Sequence, residues 1–97
     1  MKKKQYEVSL PEEVVDIFMR EDDLKCQYRL GDEIEKQNSQ EGDLNVDGAL
    51  GTIIGNMFND YGDGVTMDLY LIMWHDLINL GPIGTIGPKI KLHKNGV

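Results

Sequence analysis

A catalytic site needs polar groups that converge, and few residues here could supply one. His75 sits beside Asp76, but neighbours one position apart on a helix point in different directions. His93 falls in a lysine-rich tail with no partner nearby in sequence. The lone cysteine, Cys26, alternates with Leu24 and Tyr28 on an apolar face and reads as a small buried hydrophobe. A Cys–His nucleophile pair is the covalent chemistry these residue types would allow. The Gly-rich dinucleotide and phosphate-cradling patterns and the HExxH zinc pattern are absent. The expectation is a non-enzymatic protein with no catalytic residues and no cofactor.

A second constellation is Asp43-Leu44-Asn45-Val46-Asp47-Gly48, with carboxylate and amide oxygens at alternate positions ahead of a turn glycine. It resembles the start of an EF-hand or dockerin calcium loop, which implies Asp43, Asn45 and Asp47 as ligands. The match spans six residues. Gly51 and Ile54 stand at the ninth and twelfth positions, where the family places a ligand and its bidentate carboxylate. A calcium-binding module is therefore an alternative function, and the leading reading assigns no metal.

Charge is the broader signal. The net charge is −7, and residues 11–47 hold twelve acidic residues against four basic ones, a local balance of −8. Lysines cluster at both ends: Lys2, Lys3 and Lys4, then Lys89, Lys91 and Lys94. Such a field repels nucleic acid phosphates and steers the chain toward a protein with a basic surface. The expected contact residues are Glu12, Glu13, Asp16, Asp22 and Asp23, on the solvent side of a first helix and just after it. An inhibitor, an immunity-type protein or an accessory protein of a mobile element would use such a surface.

Tyr6, Val8 and Leu10 alternate with Gln5, Glu7 and Ser9, which predicts a strand over residues 4–10. Ser9-Leu10-Pro11-Glu12 is a capping-box pattern with proline in the first turn, so a helix should follow to Asp22 or Asp23. A strand leading into Pro11-Glu12-Glu13 resembles the opening of ribbon-helix-helix repressors, which implies DNA binding by the polar strand face. That face would carry Gln5, Glu7 and Ser9, with a carboxylate at its centre. A DNA-binding regulator is thus a further alternative, opposed by the charge.

Perfect alternation over residues 24–30 favours a second strand turned by Gly31-Asp32, with a helix through Cys26, Leu30 and Ile34 as the alternative. Residues 32–46 read as an irregular, mobile polar segment, either one loop or a short helix over Asp32–Gln37 followed by a loop. Leu50, Ile53, Ile54, Met57, Phe58 and Tyr61 follow helical spacing, with Asp47 to cap the start and Gly62 to end it. Residues 67–80 are apolar nearly all round and read as a buried helix ended by Gly81-Pro82. The glycines at 51 and 55 imply a close approach by another element. Residues 89–94 alternate again as an edge strand.

The expected fold is α+β within one 97-residue domain: a small sheet of about three strands packed on an N-terminal helix and a C-terminal antiparallel helical hairpin, in the order β-α-β-loop-α-α-β. No run of 18 apolar residues predicts a membrane span. The N-terminal Met1-Lys2-Lys3-Lys4 precedes no apolar stretch, and the single cysteine suits a reducing compartment, so the expectation is a cytoplasmic protein.

Overall fold

The computed structural model describes Val8–Ser9 as backbone and residues 22–93 in full. It is an antiparallel sheet of six strands: β1 (Val8–Ser9), β2 (Glu33–Lys36), β3 (Leu50–Gly62), β4 (Val65–Trp74), β5 (Ile83–Ile86) and β6 (Ile90–Leu92). Their order across the sheet is β1-β5-β4-β3-β2-β6. Two 3-10 turns, His75–Leu80 and Gly87–Lys89, join β4 to β5 and β5 to β6. Among the described residues no helix is long and apolar enough to cross a membrane.

The connectivity forces the sheet to coil. In a flat sheet β5 and β6 would lie four strand spacings apart, about 19 Å. Ile86 and Ile90 are joined by four Cα steps, which reach at most about 15 Å, and less through a 3-10 turn. The right-handed twist of the strands therefore closes on itself toward a barrel, bringing β5 and β6 near each other. Its interior holds Ile34, Ile53, Tyr70, Ile72, Trp74, Ile83 and Ile90, all at most 1% exposed. Cys26 and Tyr28 join this core from the loop before β2.

This fold overturns the α+β expectation: the helical hairpin over residues 47–80 is a β-hairpin, β3–β4. Position 51 explains the first half of the error. Gly51 and Ile53 face the core opposite Trp74 and Ile72, and after a register shift between Ile53 and Gly55 the inward row continues through Asn56, opposite Tyr70. A glycine, a bulge and a polar residue thus break the period-two pattern of the strand. A β-carbon at Gly51 would lie 2.8 Å from Ile72 Cγ2 and 2.9 Å from Trp74 Cε3. The close approach read from the glycines is therefore real at Gly51, but it comes from the neighbouring strand of a sheet. β4 explains the second half. Tyr70, Ile72 and Trp74 face the core, Leu71 points to the opposite face, and all four are fully buried. A strand covered on both faces loses its alternation and reads like a buried helix.

Asp63-Gly64 forms the two-residue loop between Gly62 and Val65, with φ of 55° and 76°. Positive φ at both positions is what a type I′ hairpin turn requires. Gly81 has φ of 77° and its N–H reaches Ile78 O at 3.2 Å, so Gly81-Pro82 does end a helical element, a single 3-10 turn. Residues 24–30, expected as a strand, are a bent loop, while the polar segment after them contains β2. β6 lies at the sheet edge as expected. Of the first strand, Val8 and Ser9 pair with Gly84 and Ile83 of β5. The helix expected over residues 11–22 lies outside the described residues apart from Asp22.

Candidate functional site

Of the five expected contact residues, Glu12, Glu13 and Asp16 lie outside the described residues. Asp22 and Asp23 serve the 22–30 loop itself. Asn56, 3% exposed on β3, accepts from the Asp23 N–H at 2.8 Å and donates to Asp22 Oδ1 at 2.7 Å and Tyr28 O at 3.1 Å. The Asp23 carboxylate accepts from the N–H groups of Lys25 and Phe58, each at 3.1 Å. Arg29 closes the loop, donating to Asp23 O and pairing with Asp22 at 3.2 Å. These two carboxylates hold the loop against the free edge of β3.

The calcium-type residues are pulled in three directions. Asp43 Oδ2 lies 3.3 Å from Lys36 Nζ, is also bonded by Lys89 Nζ, and accepts from the Gln40 N–H at 3.0 Å. Asn45 accepts from Lys36 Nζ at 2.8 Å and donates to Asp76 at 3.2 Å. Asp47 accepts from the Ser39 N–H at 2.9 Å, which lowers its pKa. Two ammonium groups already occupy the position a cation would take beside Asp43. Among the described residues no cluster of three or more His, Cys, Asp or Glu is arranged to hold a metal.

The Lys36–Asp43–Lys89 group is a buried latch. The side chains are 0%, 1% and 5% exposed, and Lys36 Nζ sits 5.7 Å from the centroid of the Trp74 ring. Burial alone pushes the Asp43 pKa up, but the hydrogen bond from Lys89, the Gln40 N–H and the nearby Lys36 together hold it below the ordinary aspartate value. The latch ties the loop over residues 37–48 to β2 and to the turn before β6.

Cys26 and the histidines stay apart. Cys26 is buried beside Tyr70, whose hydroxyl donates to Asp68 Oδ2 and accepts from the Tyr28 N–H at 3.1 Å. Burial, then the Asp23 and Asp68 carboxylates, push the Cys26 thiol up to about 11, against the smaller opposing effects of Arg29 and Tyr70. A thiol so protonated is a poor nucleophile. The native protein should therefore react with iodoacetamide at pH 8 far more slowly than the same chain in denaturant; equal rates would show that the thiol is accessible and ionisable.

On the outer face of β2, Glu33 and Glu35 point away from the core. Thr52 donates to Glu33 at 2.6 Å and lies 3.4 Å from His75 Nε2, while His75 Nε2 is 3.8 Å from Glu33. Hydroxyl, imidazole and carboxylate thus meet, but around one imidazole nitrogen. A nucleophilic triad needs the carboxylate on the other nitrogen, to orient the base. His93 pairs separately with Glu35 at 3.4 Å. The first contact joins β2 to the start of the 3-10 turn, and the second runs from β2 to the residue after β6.

The feature the sequence-based reading passed over is the outer half of the β3–β4 hairpin. Pairing of β3 with β2 ends at Thr52, and pairing of β4 with β5 begins at Leu69, so residues 57–69 form a two-stranded ribbon beyond the sheet. Residues 60–66 are all exposed, with Tyr61 at 66% and Val65 at 57%. From residue 37 to residue 88 the chain has seven acidic residues and neither lysine nor arginine, and the ribbon carries Asp60, Asp63 and Asp68 of these. That cation-free run was visible in the sequence, as was the Asp-Gly turn signal.

No family model, curated protein or solved structure matches the chain. Neither the fold nor the comparisons support the inhibitor and mobile-element roles expected from acidity, and both are set aside.

Proposed function

We propose that the chain is a non-enzymatic protein-binding module of a reducing, cytoplasmic setting, which meets a basic partner through its carboxylate-rich surface. The observation that carries this reading is the 52-residue run without a lysine or arginine, which includes the whole protruding ribbon. A surface of one sign accelerates encounter with the opposite sign and disfavours nucleic acid. The constellations with chemical residue types support it by their other engagements: Cys26 is buried and protonated, Asp43 is bound by two lysines, and Thr52 and Glu33 both meet His75 at the same imidazole nitrogen.

Affinity capture with the immobilised chain, followed by binding measurements on purified partners, tests the reading. It expects basic proteins that bind at low salt and release near about 1 M salt, where the Debye length falls to about 3 Å. Duplex DNA binding that weakens steeply with salt, or no saturable protein binding at low salt, would overturn it.

A further inference from the structure

We infer that the β3–β4 ribbon is an amphipathic finger that inserts into a groove of the partner, with an apolar floor and a rim of lysine or arginine; this rests on the protein-binding reading above. Paired residues of an antiparallel ribbon share a face. Met57 pairs with Leu69, Asn59 with Met67, and Gly62 with Val65. One face of the finger therefore carries Met57, Leu69, Met67 and Val65, a stripe that runs from half-buried at the root to exposed at the tip. The opposite face carries the Asp60–Thr66 and Phe58–Asp68 pairs. Phe58 packs on the core at the root, and Asp60 stands near the tip.

The tip is built to hold its shape. Asp63-Gly64 sets the turn, Asp60 Oδ1 accepts from the Gly62 N–H at 2.9 Å, and the ladder shifts register between Asp60 and Gly62. Tyr61 falls in that bulge, 66% exposed, and bulges commonly re-aim a side chain. A rigid loop presenting tyrosine is a low-entropy anchor of the kind enriched at interface centres. The carboxylates and the bulge blunt the ribbon against strand pairing, and it carries neither lysine nor proline. Charge selects the occupant. Two copies of the finger meeting each other would bring Asp60 and Asp63 against their own kind, whereas a cationic rim complements them. The apolar stripe and Tyr61 would hold the complex, and the carboxylates would guide it in.

The test uses the full chain with a photo-crosslinking benzoyl-phenylalanine at Val65, and separately at Ile78, which is 58% exposed on the first 3-10 turn, away from the finger. Crosslinked proteins are identified and purified, and their binding kinetics measured. Tyr61→Ala with Val65→Ser should raise the dissociation rate about tenfold and leave association nearly unchanged. Asp60→Asn with Asp63→Asn keeps the Gly62 acceptor and tolerates the positive φ, so the turn survives. It should slow association several-fold at low salt and flatten the salt dependence. Capture from Ile78 of a partner whose rates ignore both finger variants would overturn the finger and leave the protein-binding reading standing. A crosslink only to a second copy of the chain would also overturn the cationic groove. Capture from neither position would overturn both.

Discussion

An Asp43→Ala variant is expected to lose about 3–5 kcal/mol of stability, the cost of removing one partner from a buried charge group. The side chain is 1% exposed and is shared by Lys36 and Lys89, so its removal leaves two buried ammonium groups close together. Urea unfolding followed through the fluorescence of Trp74, the single tryptophan and fully buried, would measure the loss. A companion variant separates charge from packing. Lys36→Met, Asp43→Leu and Lys89→Met together replace the latch by apolar groups of similar volume. That triple variant should recover most of the stability, because buried ion groups exchanged as a unit are often near neutral. A loss below about 1 kcal/mol in Asp43→Ala would show that water reaches the latch and screens it.

The same carboxylate sets an acid limit. Its pKa is held down in the folded protein: burial opposes this, but the Lys89 hydrogen bond, the Gln40 N–H and Lys36 outweigh it. A carboxylate with a depressed folded pKa stabilises the fold above its unfolded pKa, near 3.9. That contribution is lost as pH falls through the folded value. Wild-type stability should therefore drop between about pH 5 and pH 2, and the Lys36→Met/Asp43→Leu/Lys89→Met variant should drop less over the same window.

What could be read from the sequence follows from where each strand's information lies. β6 and the Val8–Ser9 part of the first strand fall where open alternation placed them, and Gly81-Pro82 marks a real stop, so these features were legible. β2, Glu33–Lys36, places Ile34 and Lys36 inward, and a buried lysine makes a core strand look like polar loop. Its partner Asp43 lies seven residues on, inside a segment that local patterning reads as irregular. Only the tertiary pairing explains either residue. The acidity was legible, but the placement of the exposed site was not. Asp22 and Asp23 look as available as Asp60 and Asp63 until Asn56 is seen to bind the first pair. Asn56 lies more than thirty residues away in sequence. The loop at 24–30 alternates because Cys26 and Tyr28 dip into the core, while Leu24 is 81% exposed, so the period is right and the element is not.

Gly51 offers a measurement of how closely β4 crosses β3. In the strand observed, φ at Gly51 is not in the left-handed region, so the backbone accepts any residue and space alone decides. The new methyl would lie 2.8 Å from Ile72 Cγ2, 2.9 Å from Trp74 Cε3 and 3.1 Å from Met73 O. A branched side chain, an indole ring and a backbone carbonyl on the central strand β4 cannot all retreat together in a close-packed core. Overpacking of this kind costs about 1–3 kcal/mol. That outweighs the roughly 0.4–1 kcal/mol that alanine gains by restricting the unfolded chain. Gly51→Ala should therefore destabilise, and Gly51→Val should destabilise further despite the β-propensity of valine. Ile72→Ala removes the nearest contact at its own cost, so the Gly51→Ala/Ile72→Ala pair should be less unstable than the two single losses added together. A stabilised Gly51→Ala protein would mean that β4 does not cross this position, and that the core is assembled differently from the coiled sheet.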